Sequence, residues 1–187
     1  MSSIVIGFDI GIKNLAYCIM EKRDGEIKIN YLEKIDLNCV KTDTQKIIDK
    51  TIDVLDDIYY NKLDLTADII VIIESQMTSI MRCIQTVINT YFKIQSKYQL
   101  LNIKTKYVSA KHKLNLIDKY KGEYDGHDKI MSNSYSQNKK DSIHFGTWIL
   151  SNKYYNKDII DKIESESKKD DYFDAALMTI YFIELLK

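Results

Sequence analysis

Proline is absent from the 187 residues, tryptophan occurs once, glycine six times, and arginine twice against 25 lysines. Isoleucine, asparagine, tyrosine and lysine, all residues with A/T-rich codons, are abundant, so the composition points to an A/T-rich genome. No run of about 18 apolar residues occurs, so no membrane-spanning helix is expected. The start, MSSIVIGFDIG, lacks the basic segment and long apolar run of a secretory signal, and the chain is expected to work inside a cell. Cys18, Cys39 and Cys83 have no CxxC spacing and sit in apolar surroundings, which favours buried, reduced thiols. His112, His127 and His144 show no metal-ligand spacing and are given no role.

What is present suffices for one α/β domain over 1–187, since 45% of the residues are hydrophobic. Formal net charge is zero, but its distribution is uneven: residues 91–140 hold 11 lysines and four acids, a net +7. That middle third reads as a phosphate-contacting face or as a solvated lysine-rich surface. Tyr91, Phe92, Tyr98 and Tyr107 lie between these lysines; helical spacing makes them core, with base stacking the other reading.

Three strands are expected first, at 3–8, 15–20 and 27–37, with Arg23–Asp24–Gly25 as a hairpin turn. A helix follows over 43–60, on which Ile48, Ile52, Leu55 and Tyr59 recur at helical spacing, widened by Ile47, Val54 and Ile58. DIIVII at 68–73 reads as a strand buried on both faces. A second helix, 77–95, carries Met77, Met81, Ile84, Ile88 and Tyr91 on one side. A short strand at 105–108 and a helix over 110–119 come next. Residues 121–137 read as a polar loop, with Asn138 capping a helix to about 152 and Asp141 completing a capping box. A last helix spans 171–186, with Phe173, Leu177, Ile180 and Tyr181 turned inward; Trp148 is expected in the core. The fold class is therefore a mixed sheet of about five strands flanked by helices.

Four acids occupy particular places in this plan. Asp9 ends the first strand and Glu74 ends the later buried one. Asp171 and Asp174, three apart, share one face of the last helix. Strand ends are where sites form in open α/β sheets. Grouped carboxylates repel unless a cation neutralises them, and their hard oxygens suit Mg²⁺ or Mn²⁺. Two such ions about 3.5–4 Å apart support phosphodiester cleavage. Each acid also has a plainer reading: a turn residue for Asp9, a surface strand end for Glu74, and a helix N-terminus favouring Asp170, Asp171 and Asp174 through its dipole.

GFDIGIKNLAY at 7–17, IIESQ at 72–76, NKKDS at 138–142 and DDYFDAAL at 170–177 together resemble the RuvC-like resolvases of the RNase H-like superfamily, most of all their poxvirus branch. The resemblance implies an RNase H-like fold and a homodimer that cuts four-way (Holliday) DNA junctions by symmetric, metal-dependent nicks. It maps the family's catalytic acids onto Asp9, Glu74, Asp171 and Asp174, holding two Mg²⁺ or, in their place, Mn²⁺. It places a basic residue near the scissile phosphate at Lys140, with Lys139 adjacent. A viral source implies the cytoplasm of an infected cell, with concatemer resolution as the purpose. Lys13, Asn14, Gln76, Lys139 and Lys140 are the candidate DNA contacts, and the 77–95 helix offers apolar surface for a twin. Rival readings are a nuclease of the same fold acting on other branched DNA or RNA–DNA hybrid, a non-catalytic binding module, and an actin- or sugar-kinase-type ATPase. The last needs a further Gly-rich phosphate loop, and none of the six glycines forms a GxG pair.

Overall fold

The computed structural model describes residues 2–109, 115–124, 135–166 and 168–185. The three expected strands, β1 (Ser3–Asp9), β2 (Leu15–Arg23) and β3 (Glu26–Ile35), form an antiparallel meander. The β2–β3 turn places Asp24 and Gly25 at φ 52° and 88°, the left-handed pair that a tight hairpin requires. Helix α1 (Thr44–Asn61) starts at Asp43, whose side chain accepts from the Lys46 N–H. Strand β4 (Asp68–Glu74) then enters parallel to β1. After helix α2 (Ser79–Gln99), strand β5 (Ile103–Val108) adds parallel to β4. The sheet order is β3-β2-β1-β4-β5. Helices α3 (Leu116–Lys119), α4 (Tyr135–Asn152), α5 (Lys157–Glu164) and α6 (Asp170–Glu184) complete the chain.

Because strand side chains alternate faces, the sheet separates two cores. Ile4, Ile6, Phe8, Ile69, Val71 and Ile73 pack against α1 and α2 on one side. Val5, Ala16, Cys18 and Ile72 pack on the other against α6, α4 and α3. β1 and β4 are covered on both faces, which explains their near-continuous apolar sequence. All three cysteines are free; Cys18 is buried, while Cys39 and Cys83 are half-buried rather than enclosed.

Several expectations need correction. The buried stripe of α1 runs Ile47, Thr51, Leu55, Ile58 and Tyr59, whereas Ile52 is exposed. Thr51 belongs in the stripe because its hydroxyl donates to the Ile47 carbonyl at 2.7 Å and so needs no water. Met77 lies outside α2 and is 88% exposed. Of the aromatics between the lysines, Phe92 is buried and Tyr91 half-buried, but Tyr98 and Tyr107 are exposed. Asn138 does not cap α4, which begins three residues earlier at Tyr135. Helix α5 was not anticipated; Asn156 caps it, accepting from the Ile159 N–H at 3.2 Å. Residues 110–114 of the expected 110–119 helix, and 125–134 of the expected loop, lie outside the described residues, as do His112 and His127. Trp148 is half-buried against Tyr120, Tyr124 and Phe145.

Candidate metal centre

β1 and β4 run parallel with Phe8 beside Ile73, so the register carried one residue further sets Asp9 beside Glu74. Asp9 follows Val5 and Gly7 in the alternation, and Glu74 follows Ile72, so both belong to the face that α6 covers. On the other side of Asp9 the row continues through Ala16 of β2 to Lys34 of β3.

Helix α6 crosses β1 at Gly7. A Cβ there would meet Thr179 Oγ1 at 2.2 Å and the Ala175 carbonyl at 3.2 Å. Only a glycine admits the helix so close. The start of α6 reaches the Lys34 end of the row: Lys34 Nζ lies 4.8 Å from the centre of the Tyr172 ring. The lysine, whose side chain is 11% exposed, also donates to the Lys168 carbonyl at 2.8 Å and pairs with Glu166 at 3.1 Å. Asp171 directly precedes Tyr172 and Asp174 follows two residues after it, so both stand in the first turns of α6, at that end of the row.

The acids differ in partners. Gln76 Nε2 donates to Glu74 Oε2 at 3.0 Å, and the Ser142 hydroxyl donates to Asp174. Lys139 forms a salt bridge with Asp170, next to the acidic pair. Asp171 Oδ2 is buried with no hydrogen-bond partner. Burial, then the neighbouring charges of Asp170 and Asp174, push the Asp171 carboxyl up, with Lys139 and Lys34 offsetting part of the effect. At Asp170 burial pushes the same way, but the hydrogen bond and charge of Lys139 outweigh it and hold the carboxyl low.

Among the described residues, no group of three or more His, Cys, Asp or Glu side chains stands close enough to hold a metal ion as oriented. Glu74 and Asp174 are each held by a neutral donor, Gln76 and Ser142. The donor set nevertheless fits a hard divalent cation. It is all carboxylate, and the orphaned Asp171 oxygen is a buried acceptor that lacks a proton donor. Lys13 is exposed and Asn14 half-buried in the turn after β1; Lys140 is exposed on α4. Lys34 and Ser142 went unnoticed as site residues. Ser142 lies inside the NKKDS block and was open to notice, whereas nothing in the alternation of β3 distinguishes Lys34.

This sheet order, with a helix carrying two acids packed across β1, β2 and β3, is the RNase H-like fold in its RuvC-like resolvase form. The chain belongs to the family described as Poxvirus A22 protein, whose sequence model matches residues 3–186. The fold is similar to that of the fowlpox virus Holliday junction resolvase, at TM-score 0.65 and 23% identity, covering 98% of this chain and 99% of that one. It is similar again to the fowlpox virus resolvase in complex with Holliday junction DNA, at TM-score 0.61, 23% identity and the same coverage. T. thermophilus RuvC bound to a Holliday junction substrate matches at TM-score 0.53 and 10% identity, over 98% of this chain and 96% of that one. No curated protein matches the sequence. Among the described residues, no helix is long and apolar enough to cross a membrane.

Proposed function

We propose that the chain is a divalent-metal-dependent endonuclease that resolves four-way DNA junctions by paired, symmetric nicks. The observation that carries this is the convergence of Asp9, Glu74 and the start of α6 on one edge and one face of the sheet, in a chain of the Poxvirus A22 protein family. Asp9, Glu74, Asp171 and Asp174 are the residues that would hold two Mg²⁺, or Mn²⁺ in their place. Such ions supply activation of the attacking water and neutralise charge at the leaving oxygen.

The chain's own residues supply position and charge. Asp9, on the central strand, stands between Glu74 on β4 and Ala16 on β2 and would be one of the residues that hold the ions. Lys139 and Lys140 supply positive charge against the phosphorane-like oxygens that develop during cleavage. The salt bridge to Asp170 supports Lys139 as the nearer of the two. Lys13, Asn14 and Gln76, in the turns after β1 and β4, contact the DNA strand entering the site. Because a junction is nearly two-fold symmetric, a C2 homodimer presents two matching sites to it. The setting is the cytoplasm of an infected cell, and the purpose is resolution of concatemeric or recombining viral DNA.

A panel of synthetic substrates with Mg²⁺ tests the reading. Four-way junctions should be nicked in opposed strands in preference to flap, Y-shaped or RNA–DNA hybrid substrates. Preferential cleavage of hybrid, or cleavage that persists in Asp9→Asn, would overturn it.

A further inference from the structure

The peptide of Gln76 is gripped at both ends by side chains of α2. Gln85 Oε1 accepts from the Gln76 N–H at 2.9 Å, and Arg82 Nε donates to the Gln76 carbonyl at 3.1 Å. The preceding residue is fixed to the sheet, since the Ser75 N–H donates to the Val108 carbonyl at 2.7 Å. With its N–H and carbonyl both held, Gln76 has its side chain aimed back along the chain, and Nε2 meets Glu74 Oε2 at 3.0 Å. Residues 75–78 are the whole connection between β4 and α2, so the Gln76 side chain stays close to Glu74.

We propose that Gln85 is a positioning residue of the metal centre, assisted by Arg82: through Gln76 it sets which oxygen and which rotamer Glu74 presents to a divalent cation. This rests on the metal-dependent reading above. A glutamate on a strand end keeps two free side-chain torsions beyond χ1. A neutral amide donor on one oxygen restrains them without cancelling the charge a cation needs. Hydrogen-bond partners that orient ligating carboxylates typically matter by about 10–100-fold in metal affinity when removed. Gln85 is half-buried and Arg82 exposed, so neither is required to fill the core.

The test is Mn²⁺ binding to the full-length protein without DNA, followed by electron paramagnetic resonance, beside the Mg²⁺ concentration that half-saturates junction nicking and the melting temperature without metal. Gln85→Met removes the acceptor at nearly constant volume and should weaken Mn²⁺ binding by about 10-fold or more, with a matching rise in the Mg²⁺ requirement. Gln85→Glu keeps an acceptor oxygen and should restore binding. Arg82→Met, a surface change that leaves folding intact, should weaken binding in the same direction but less, and serves if Gln85→Met does not fold. Unchanged Mn²⁺ affinity in Gln85→Met, or in Arg82→Met if the former is unfolded, overturns the proposal, including when the melting temperature falls, because the contact then only pins the loop. A wild-type protein that binds no Mn²⁺ and nicks no junction overturns this and the nuclease reading together. One that binds and nicks, with variants to match, overturns this inference alone.

Discussion

Gly7→Ala tests how the site is assembled, because one methyl group would separate the two halves of the carboxylate set. The added Cβ would stand 2.2 Å from Thr179 Oγ1, about 1.3 Å short of ordinary contact. The Ala175 carbonyl at 3.2 Å blocks movement along the helix, and Thr179 is itself held by its hydroxyl's 2.7 Å bond to that carbonyl. Rotating Thr179 breaks that bond; otherwise α6 must lift from β1. Overpacking of this kind costs about 1–3 kcal/mol. For a chain of this size that is a fall of about 2–12 °C in melting temperature. Cleavage should suffer more than stability does, since a misplacement of about 1 Å between reacting groups can cost about 100-fold. The assay is junction cleavage in Mg²⁺ at a temperature well below both melting transitions, with the double variant Gly7→Ala/Thr179→Ala as control. Removing Oγ1 should recover most of the lost cleavage. If Gly7→Ala cleaves and melts like the wild type, α6 does not seat the acids through this contact and the reasoning fails.

Three further outcomes are expected. Asp171→Asn should melt higher than the wild type near pH 7 without metal. Its raised carboxyl disfavours the folded state once pH rises past the ordinary carboxylate range, and the advantage should vanish at lower pH where the wild-type side chain is protonated; equal melting curves across that range would refute the burial argument. Lys62→Met removes a lysine bonded to Glu33 and Tyr17. Burial pushes Glu33 up, but the bonds and charge of Lys62 with the bond from Tyr17 hold it low, so its stabilising share exists above the ordinary carboxylate range and is lost as pH falls through the lowered value. The variant should therefore be less stable at neutral pH, with the gap closing in acid; a pH-independent gap contradicts this. Glu184→Gln weakens a carboxylate, only 5% exposed, that accepts from Lys119, Tyr120 and Tyr154 and ties α6 to α3 and the α4–α5 connection. It should cost about 1–3 kcal/mol in denaturant unfolding, and a loss below that range would show the network is idle.

Much of the sheet could be read from residue order because its strands end in chemistry that apolar runs do not tolerate. IVIGF runs into Asp9 and DIIVII into Glu74, so boundary and candidate ligand are the same residue. Helix faces were harder. In α1 a threonine that bonds its own helix sits in the core stripe, which turns the buried face away from Ile52. Met77 looks like the first rung of α2, but the peptide just before it is held by Gln85 and Arg82 as a non-helical connection. α5 was overlooked because its apolar residues fill less than three turns. The links that orient the acids, Gln76 to Glu74, Ser142 to Asp174 and Lys34 to the start of α6, join residues through space or through a local turn. Periodicity carries no record of such contacts.

The claim beneath all of this is that the four carboxylates share divalent cations, and anomalous diffraction from crystals soaked in Mn²⁺ measures it most directly. Manganese peaks bounded by Asp9, Glu74, Asp171 and Asp174, with Glu74 still held by Gln76, are the expected result. Manganese bound elsewhere, or held without Asp9, would contradict the account.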